Sequence, residues 1–140
     1  MKPRPIKIEG DVAYITLTQG YIAVIDAVDV PLVGGVNWRA LVTKANVYAV
    51  REVRLGDGSP PITLLMHRAL TDAPDGFDVD HEDCDGINNR RCNLRIATRS
   101  QNQHNQRLRR SNLVGFKGVS WHKASAKWQA SISIDSKSHW

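Results

Sequence analysis

Apolar and polar residues alternate along much of the first 61 residues, with the period of two that is typical of half-buried β-strands. Most of the apolar positions are β-branched or aromatic, and strands favour both kinds of side chain. Gly20, the pair Gly34–Gly35 and the pair Pro60–Pro61 interrupt the pattern. Residues 1–61 are therefore predicted to form a strand-rich N-terminal region. The four predicted strands are VAYITL (12–17), YIAVID (21–26), WRALVT (38–43) and VYAVREV (47–53).

A different pattern follows Pro61. In TLLMHRALTD (63–72), the apolar positions 64, 65, 69 and 70 fit one face of a short helix. Asp75–Gly76 then predicts a turn. Two strand-like segments come next and enclose a long polar loop, so they are expected to pair as neighbouring strands. These segments are FDVDH (77–81) and NLRIAT (93–98).

A second helix is predicted directly after these strands. Thr98 is followed three residues later by Gln101, which is the spacing of a capping box. We therefore expect a helix over about 99–110. Residues 77–110 should then form a β–loop–β–α motif, within a second region that covers residues 62–110.

Residues 111–140 form the third predicted region. FKGVSWH (116–122) and KWQASISI (127–134) are strand-like, and KASAK (123–127) between them is turn-like. Trp121 and Trp128 are expected to be core residues rather than platforms for stacked bases. Strands in all three regions, together with two helices in the second, predict an α+β fold.

Charge is distributed unevenly along the chain. Residues 1–85 carry 8 Lys or Arg and 13 Asp or Glu, whereas residues 86–140 carry 11 Lys or Arg and 1 acid. A long one-signed segment repels itself unless a polyanion neutralises it, which indicates nucleic acid as a partner. The residues expected to contact DNA are Arg90, Arg91, Arg95, Arg99, Arg107, Arg109, Arg110, Lys117, Lys123 and Lys127.

The two cysteines raise the alternative of a zinc site. Cys84 and Cys92 are eight positions apart and could join His81 or His104 around a metal ion. Structural zinc sites usually contain CxxC pairs, which this sequence lacks. A zinc-stabilised structural module is therefore disfavoured, and both cysteines are expected to be free thiols.

Residues 66–106 contain a specific set of short motifs. Asp80-His81 is followed by Asn93-Leu94, twelve residues after the histidine, and by Asn102 nine residues after Asn93. The other motifs are Met66-His67-Arg68, Asp85-Gly86, Asn88-Asn89-Arg90 and Thr98-Arg99-Ser100-Gln101. In this combination the segment resembles the HNH endonucleases of the ββα-metal class, in particular the phage and intron homing type.

The resemblance implies a site that cleaves phosphodiester bonds. His81 would be the general base, while Asp80 and Asn102 would bind a divalent cation. Asn93 would steady the loop and orient the histidine. Oxygen ligands favour Mg²⁺ or Mn²⁺ over Zn²⁺. His67 is expected to pack or hydrogen-bond beneath the site rather than to take a direct role.

The third region has a resemblance of its own. Gly118, Lys127 and Trp128 belong to a segment that is similar to the opening two strands of the plant ethylene-response-factor (ERF) type of DNA-binding domain. Ser120 and His122 stand where that family has arginines on its reading face. The resemblance therefore implies phosphate contacts through lysines rather than base readout. Residues 111–140 would be an incomplete domain of this type, because the family continues with a third strand and a helix.

The function that the sequence favours is a metal-dependent HNH endonuclease that cuts double-stranded DNA, of phage or mobile-element type. One such site cuts one strand, so a monomer should nick, whereas a double-strand cut needs a homodimer or two visits. The alternative is a DNA-binding protein with a decayed nuclease core. No apolar run approaches 18 residues and no signal peptide is evident, so we expect no membrane span and a location in the cytoplasm of a bacterial host.

Overall fold

A computed structural model describes residues 2–106, 108, 111–112, 114–134 and 137–139. Its elements are many short antiparallel strands and three short α-helices, which is compatible with the predicted α+β class. None of the helices in these residues is both long enough and apolar enough to cross a bilayer.

The N-terminal residues build two three-stranded antiparallel sheets, as their alternating pattern predicts. All four predicted strands are present. The first sheet has the order β1-β2-β3, with strands Ile6–Glu9, Val12–Thr16 and Ile22–Asp26. The second has the order β4-β5-β6, with strands Arg39–Val42, Val47–Val53 and Ile62–Leu65.

Strand β6 corrects the sequence analysis, which placed its residues at the start of a helix. Ile62–Leu65 pairs with β5 in antiparallel register, for example Leu65 with Val50. Helix α2 begins only at Met66 and runs to Thr71. The apolar residues 64 and 65 fit a helix face locally, but the free edge of β5 offers them backbone hydrogen bonds instead. The second sheet thus includes residues from both sides of the boundary predicted at residue 61.

The main core lies between the sheets and the short helices α1 (Val30–Val33) and α2. Trp38 is its largest fully buried side chain, and its indole N–H donates to the carbonyl of Val33 over 2.9 Å. Burial of each large side chain in such a core stabilises the fold by about 1.5–3 kcal/mol. The buried cluster is formed by Ala13, Ile15, Leu17, Ala23, Ile25, Val33, Trp38, Ala40, Ala49, Met66 and Leu70.

The predicted β–loop–β–α motif is present in residues 78–105. Strand β7 (Asp78–His81) pairs antiparallel with β8 (Leu94–Ala97), and α3 spans Arg99–Asn105. The capping box holds the start of α3, since the Thr98 hydroxyl accepts from Gln101 N–H and the Gln101 side chain accepts from Thr98 N–H. The helix is shorter than predicted.

Helix α3 ends at Asn105 because its next residue leaves the helical region, with Gln106 at φ −54° and ψ 142°. Leu108 is also non-helical, and Arg107, Arg109 and Arg110 lie outside the described residues.

The C-terminal residues form two separate hairpins. Strands β9 (Val119–His122) and β10 (Lys127–Ala130) pair around the predicted turn, and β11 (Ile132–Ile134) pairs with β12 (Lys137–His139). KWQASISI was predicted as one strand but is divided at Ser131, whose N–H donates to the carbonyl of Gly118 over 2.8 Å. No helix occurs among the residues described beyond α3.

The tryptophans of the first hairpin correct a second expectation. Trp121 and Trp128 are 47% and 61% exposed, so they are not core residues. They face each other across the two strands, with ring centroids 5.2 Å apart and planes at 71°. A cross-strand aromatic pair stabilises a hairpin without the burial that we expected.

Candidate active site

A cavity of about 660 Å³ is lined by Asp80, His81 and Asn102, three of the four residues that the sequence assigned to catalysis or metal binding. The fourth, Asn93, is not among its lining residues. Strand β7 and helix α3 form one side of the cavity and contribute Asp80, His81, Asn102 and Asn105. Asp80 and His81 are both buried, at 6% and 5% exposure. The turn and strand that follow β4 supply further lining residues, which sequence reasoning missed: Lys44, Ala45, Asn46 and Tyr48.

Asp80 is held from two sides. Its Oδ2 accepts from Arg95 Nε and Nη2, over 2.8 and 2.6 Å, because the two residues are directly opposed in the β7–β8 pair. Its Oδ1 accepts from Asn105 Nδ2 over 3.0 Å. The carboxylate therefore has a fixed orientation and a neutralising partner, Arg95, which the sequence analysis had assigned to DNA.

The helix amides are arranged differently from the expectation. Asn102 Nδ2 donates to Asp78 Oδ2 over 3.0 Å, whereas Asn105 contacts Asp80 and also donates to the backbone carbonyl of His81 over 2.9 Å. Residues three apart on a helix share a face, so both amides point toward β7. No motif in the sequence drew attention to Asn105, although its spacing from Asn102 could have done so.

The His81 ring is packed among other rings. His67 of α2 meets it edge-on, with centroids 5.0 Å apart, and Tyr48 lies tilted at 6.2 Å. Burial lowers the pKa of His81, although the hydrogen bond to Asn89 and the charges of Asp83, Asp80 and Asp85 partly oppose this. The imidazole is therefore neutral at neutral pH, which a proton acceptor requires.

His67 lies beneath the site, as expected. It is 7% exposed, and its ring packs against both His81 and Tyr48. Burial is the main cause that lowers the pKa of His67 to about 3, and repulsion from His81 and Arg68 adds smaller contributions. The ring is thus a neutral packing partner of His81.

The acidic residues after β7 fold the loop 82–93, which we call the active-site loop. Asp83 Oδ1 accepts from Asp85 N–H over 2.8 Å, and its Oδ2 accepts from Asn88 Nδ2 over 2.7 Å. Burial alone would raise the pKa of Asp83, but these bonds and one from Asn93 lower it overall. These acids therefore shape the backbone of the loop.

Asn93 closes the same loop. Its Nδ2 donates to Asp83 Oδ1 over 2.9 Å and to the carbonyl of Asn88 over 2.8 Å, and its Oδ1 accepts from Asp83 N–H over 3.0 Å. This is the loop-steadying position that the resemblance implies. The side chain that forms a hydrogen bond with the His81 ring is that of Asn89, whose Oδ1 lies 3.2 Å from Nε2.

Arg90 and Arg91 have carboxylate partners within the protein. Arg90 pairs with Asp26 over 2.8 Å and with Asp11 over 2.7 Å. Arg91 forms a two-pronged pair with Asp29, at 2.9 Å from Nε and 2.7 Å from Nη2. Both arginines had been predicted from the sequence to contact DNA.

The other predicted DNA contacts that belong to the described residues lie at the surface. Arg99 is exposed in the first turn of α3, and Lys123 and Lys127 are exposed on the β9–β10 hairpin. Lys117 is also exposed, and its Nζ donates to the carbonyl of His104 over 2.7 Å.

The cysteines are free thiols. Cys84 Sγ donates to the carbonyl of Asn105 over 3.2 Å, and Cys92 is exposed. Within the part of the chain that the structure describes, no group of three or more His, Cys, Asp or Glu side chains is arranged to hold a metal ion.

Comparison with known proteins finds a family match that covers part of this site, including Asp80, His81 and Asn102. Residues 71–104 match the family model HNH_3, which is described as HNH endonuclease. The chain is also 35% identical over 66 residues to "Protein 3.8" of Escherichia phage T7, and the alignment covers 47% of this chain and 54% of that protein. The chain thus spans about half the length of this curated relative. No solved structure matches the chain.

These matches support the HNH resemblance and a nuclease-type domain at residues 71–104. They give no support to the ERF-like resemblance of residues 111–140 or to a homing role.

Proposed function

We propose that this chain is a metal-dependent HNH endonuclease that hydrolyses phosphodiester bonds in double-stranded DNA, and that it nicks one strand per site. One observation carries the proposal. The adjacent residues Asp80 and His81, inside the segment that matches the HNH model, line one cavity together with the amides of α3. A carboxylate and a neutral imidazole side by side are the groups that hydrolysis of a phosphodiester needs.

In this proposal His81 takes the proton from the attacking water. Its lowered pKa keeps the ring unprotonated and ready to accept at neutral pH. The packing of the His81 ring against His67 and Tyr48 restricts the orientation of the ring, and so the position of the nitrogen that accepts the proton. Asp80, held by Arg95, supplies a carboxylate next to it.

The residues around Asp80 fit a hard divalent cation. The available donors are carboxylate and amide oxygens, which suit Mg²⁺ or Mn²⁺ and leave room for water ligands. Asp80 would hold the cation together with a helix amide turned to present its oxygen. When bound, such a cation stabilises negative charge on the phosphate and the leaving oxygen.

Two helix amides compete for this role. Asn102 is the position that the family resemblance assigns, and Asn105 is the one that contacts Asp80. Mn²⁺ titration of Asn102→Ala and Asn105→Ala decides between them. The variant with the larger loss of Mn²⁺ affinity identifies the ligand.

A DNA-binding protein with an inactive HNH site is the second candidate. One observation favours it, namely that both carboxylate oxygens of Asp80 already have partners in Arg95 and Asn105. A cation would have to displace or share them.

Nicking of supercoiled plasmid separates the two candidates. The endonuclease converts the plasmid to the open circular form with Mg²⁺ or Mn²⁺ and stops when EDTA is added. Asp80→Ala serves as the matched inactive variant, and DNA binding is measured in parallel. Binding without any metal-dependent nicking would support the second candidate and contradict the first.

The bacteriophage setting and the bacterial cytoplasm are part of the same proposal, supported by the similarity to a phage T7 protein. We propose a monomer for nicking and a homodimer for any double-strand cut.

A further inference from the structure

The His81 ring has a hydrogen-bond partner that the proposed mechanism does not yet use. Asn89 is fully buried, and its Oδ1 lies 3.2 Å from His81 Nε2. The amide nitrogen of Asn89 donates to the carbonyl of Ile87 over 3.2 Å. Because the nitrogen is engaged there, the amide presents its oxygen to the ring, and an oxygen can only accept.

The position of Asn89 is fixed by the N-terminal sheet. Asn89 N–H donates to the carbonyl of Val24 over 2.7 Å, and Val24 N–H donates to the carbonyl of Ile87 over 2.9 Å. Strand β3 and this part of the loop therefore form a short parallel bridge. Buried backbone groups that are satisfied in this way are costly to displace.

Charged pairs hold the next two residues of the loop to the same sheet. Arg90 forms an ion pair with Asp26, at the end of β3, and Arg91 forms one with the buried carboxylate of Asp29. The backbone N–H of Arg91 also donates to Asp26. Burial alone would raise the pKa of Asp26, but the bonds from Arg91 and Arg90 lower it overall. The loop is thus anchored on both its backbone and its side chains, with Asn89 next to the anchors.

We infer that Asn89 is a positioning residue, which holds the proton of His81 on Nε2 and so leaves Nδ1 as the ring nitrogen that accepts a proton from water. The inference rests on the proposed function for its catalytic meaning, but the proton position is a property of the free protein. It also gives the N-terminal sheet a role, because that sheet sets the position of Asn89.

Two variants of similar size isolate the accepting oxygen. Asn89→Leu and Asn89→Asp both lose the amide that donates to Ile87, but only Asp retains an oxygen that can accept from His81. In single-turnover cleavage, with the protein in saturating excess over DNA, we expect Leu to lower the rate about 10- to 100-fold, the range seen when the group that orients a functional histidine is removed. Asp should recover most of the lost rate, and Kd for DNA should be unchanged in both variants.

A matched control removes an amide elsewhere. The Asn37 side chain accepts a hydrogen bond from Arg4 N–H and donates one to the carbonyl of Lys2, and it does not line the cavity. Asn37→Leu should leave the rate at the wild-type value. If Asn89→Leu and Asn89→Asp lose activity equally, or neither loses any, the accepting oxygen does not position His81 and the inference is wrong.

The second measurement needs no cleavage and no variant. Nitrogen-15 NMR of histidine-labelled wild-type protein, at about pH 8 where imidazoles are neutral, shows which ring nitrogen carries the proton. We expect a slowly exchanging proton on His81 Nε2 and an unprotonated Nδ1. A proton on Nδ1 would overturn the inference. If the wild-type protein fails to nick DNA but shows the expected proton on Nε2, the proposed function fails while the hydrogen-bond assignment stands.

Discussion

Two basic segments of this chain differ in whether their charges are paired: one is bound to carboxylates and the other is exposed to solvent. In the active-site loop, Arg90 and Arg91 bind carboxylates of the N-terminal sheet, and just beyond it Arg95 binds Asp80. In the β9–β10 hairpin, Lys123 and Lys127 are exposed to solvent. Along the sequence both belong to one uninterrupted basic stretch, from Gly86 to Ile134.

The difference shows that a run of one charge in a sequence is not a charged surface. The acids that neutralise the loop arginines come from 62 to 79 residues earlier in the chain. Because they are paired in this way, Arg90 and Arg91, which were predicted to contact DNA, instead connect the site to the N-terminal sheet. The excess positive charge is therefore concentrated further along, from α3 to the hairpin, and DNA contacts are expected mainly there.

The largest expected effect on stability comes from removing one of these ion pairs, between Arg91 and Asp29. Arg91→Met leaves Asp29, whose side chain is 3% exposed, as a buried carboxylate without its cation. Removal of one partner of a buried pair costs about 3–5 kcal/mol, and the half-exposed Arg91 puts this case near the lower end. We expect the free energy of unfolding in urea to fall by about 3 kcal/mol. Lys127→Met should change it by less than about 0.5 kcal/mol. Equal stability of the two variants would remove the distinction between the segments.

The second effect concerns histidines in the two settings, His67 under the site and His122 on the hairpin. The folded pKa of His67 is about 3, against 6.5 for an ordinary histidine. Between these values the unfolded chain binds a proton that the folded protein excludes. The neutral, buried His67 therefore costs the folded protein no stability above pH 6.5. As pH falls from 6.5 toward 3, the free energy of unfolding decreases by about 1.4 kcal/mol per pH unit because of this group.

Urea unfolding at several pH values checks this. His67→Phe should make the fall in stability between about pH 6.5 and 5 shallower by roughly 2 kcal/mol over that interval. His122→Gln should leave the fall as it is in the wild-type protein, because His122 is exposed. A wild-type slope in the His67→Phe variant would show that His67 is not a buried neutral group.

The smallest effect is on the salt dependence of DNA binding. Each phosphate contact contributes about −0.9 to the slope of log K against log salt. Lys123→Ala with Lys127→Ala should reduce the magnitude of that slope by about 2, while Arg90→Gln should leave it unchanged because Arg90 is paired with Asp26 and Asp11. Fluorescence anisotropy over a salt series measures both. A flatter slope for Arg90→Gln alone would show that Arg90 does contact DNA phosphates, as its predicted DNA contact implies.

Local patterns predicted most of the secondary structure of the site. The alternation in FDVDH and the capping box at Thr98 each depend on residues within a few positions of one another, and both features are present in the structure. The strand β6 was missed because its formation depends on the free edge of β5, which a helical periodicity in its own residues does not reveal.

The partners of the site residues could not be predicted in the same way. Asn89 reaches His81 only because β3 fixes the loop, and Lys44, Asn46 and Tyr48 line the cavity from a different sheet. The loop packs closely against strand β5 at Gly86, since a Cβ at that position would lie 2.4 Å from the carbonyl oxygen of Val47. Such contacts between distant segments leave no periodic signal in the sequence.

Single-turnover cleavage of supercoiled DNA by His81→Ala, with Mn²⁺ present and DNA binding measured in parallel, tests the central claim most directly. The variant keeps Asp80, both helix amides and the basic surface. We therefore expect DNA binding close to that of the wild-type protein and a cleavage rate lower by about 10²- to 10⁴-fold, the usual contribution of a general base. His122→Ala should cleave at the wild-type rate. Cleavage by His81→Ala as fast as by the wild-type protein would contradict the assignment of His81 as the base.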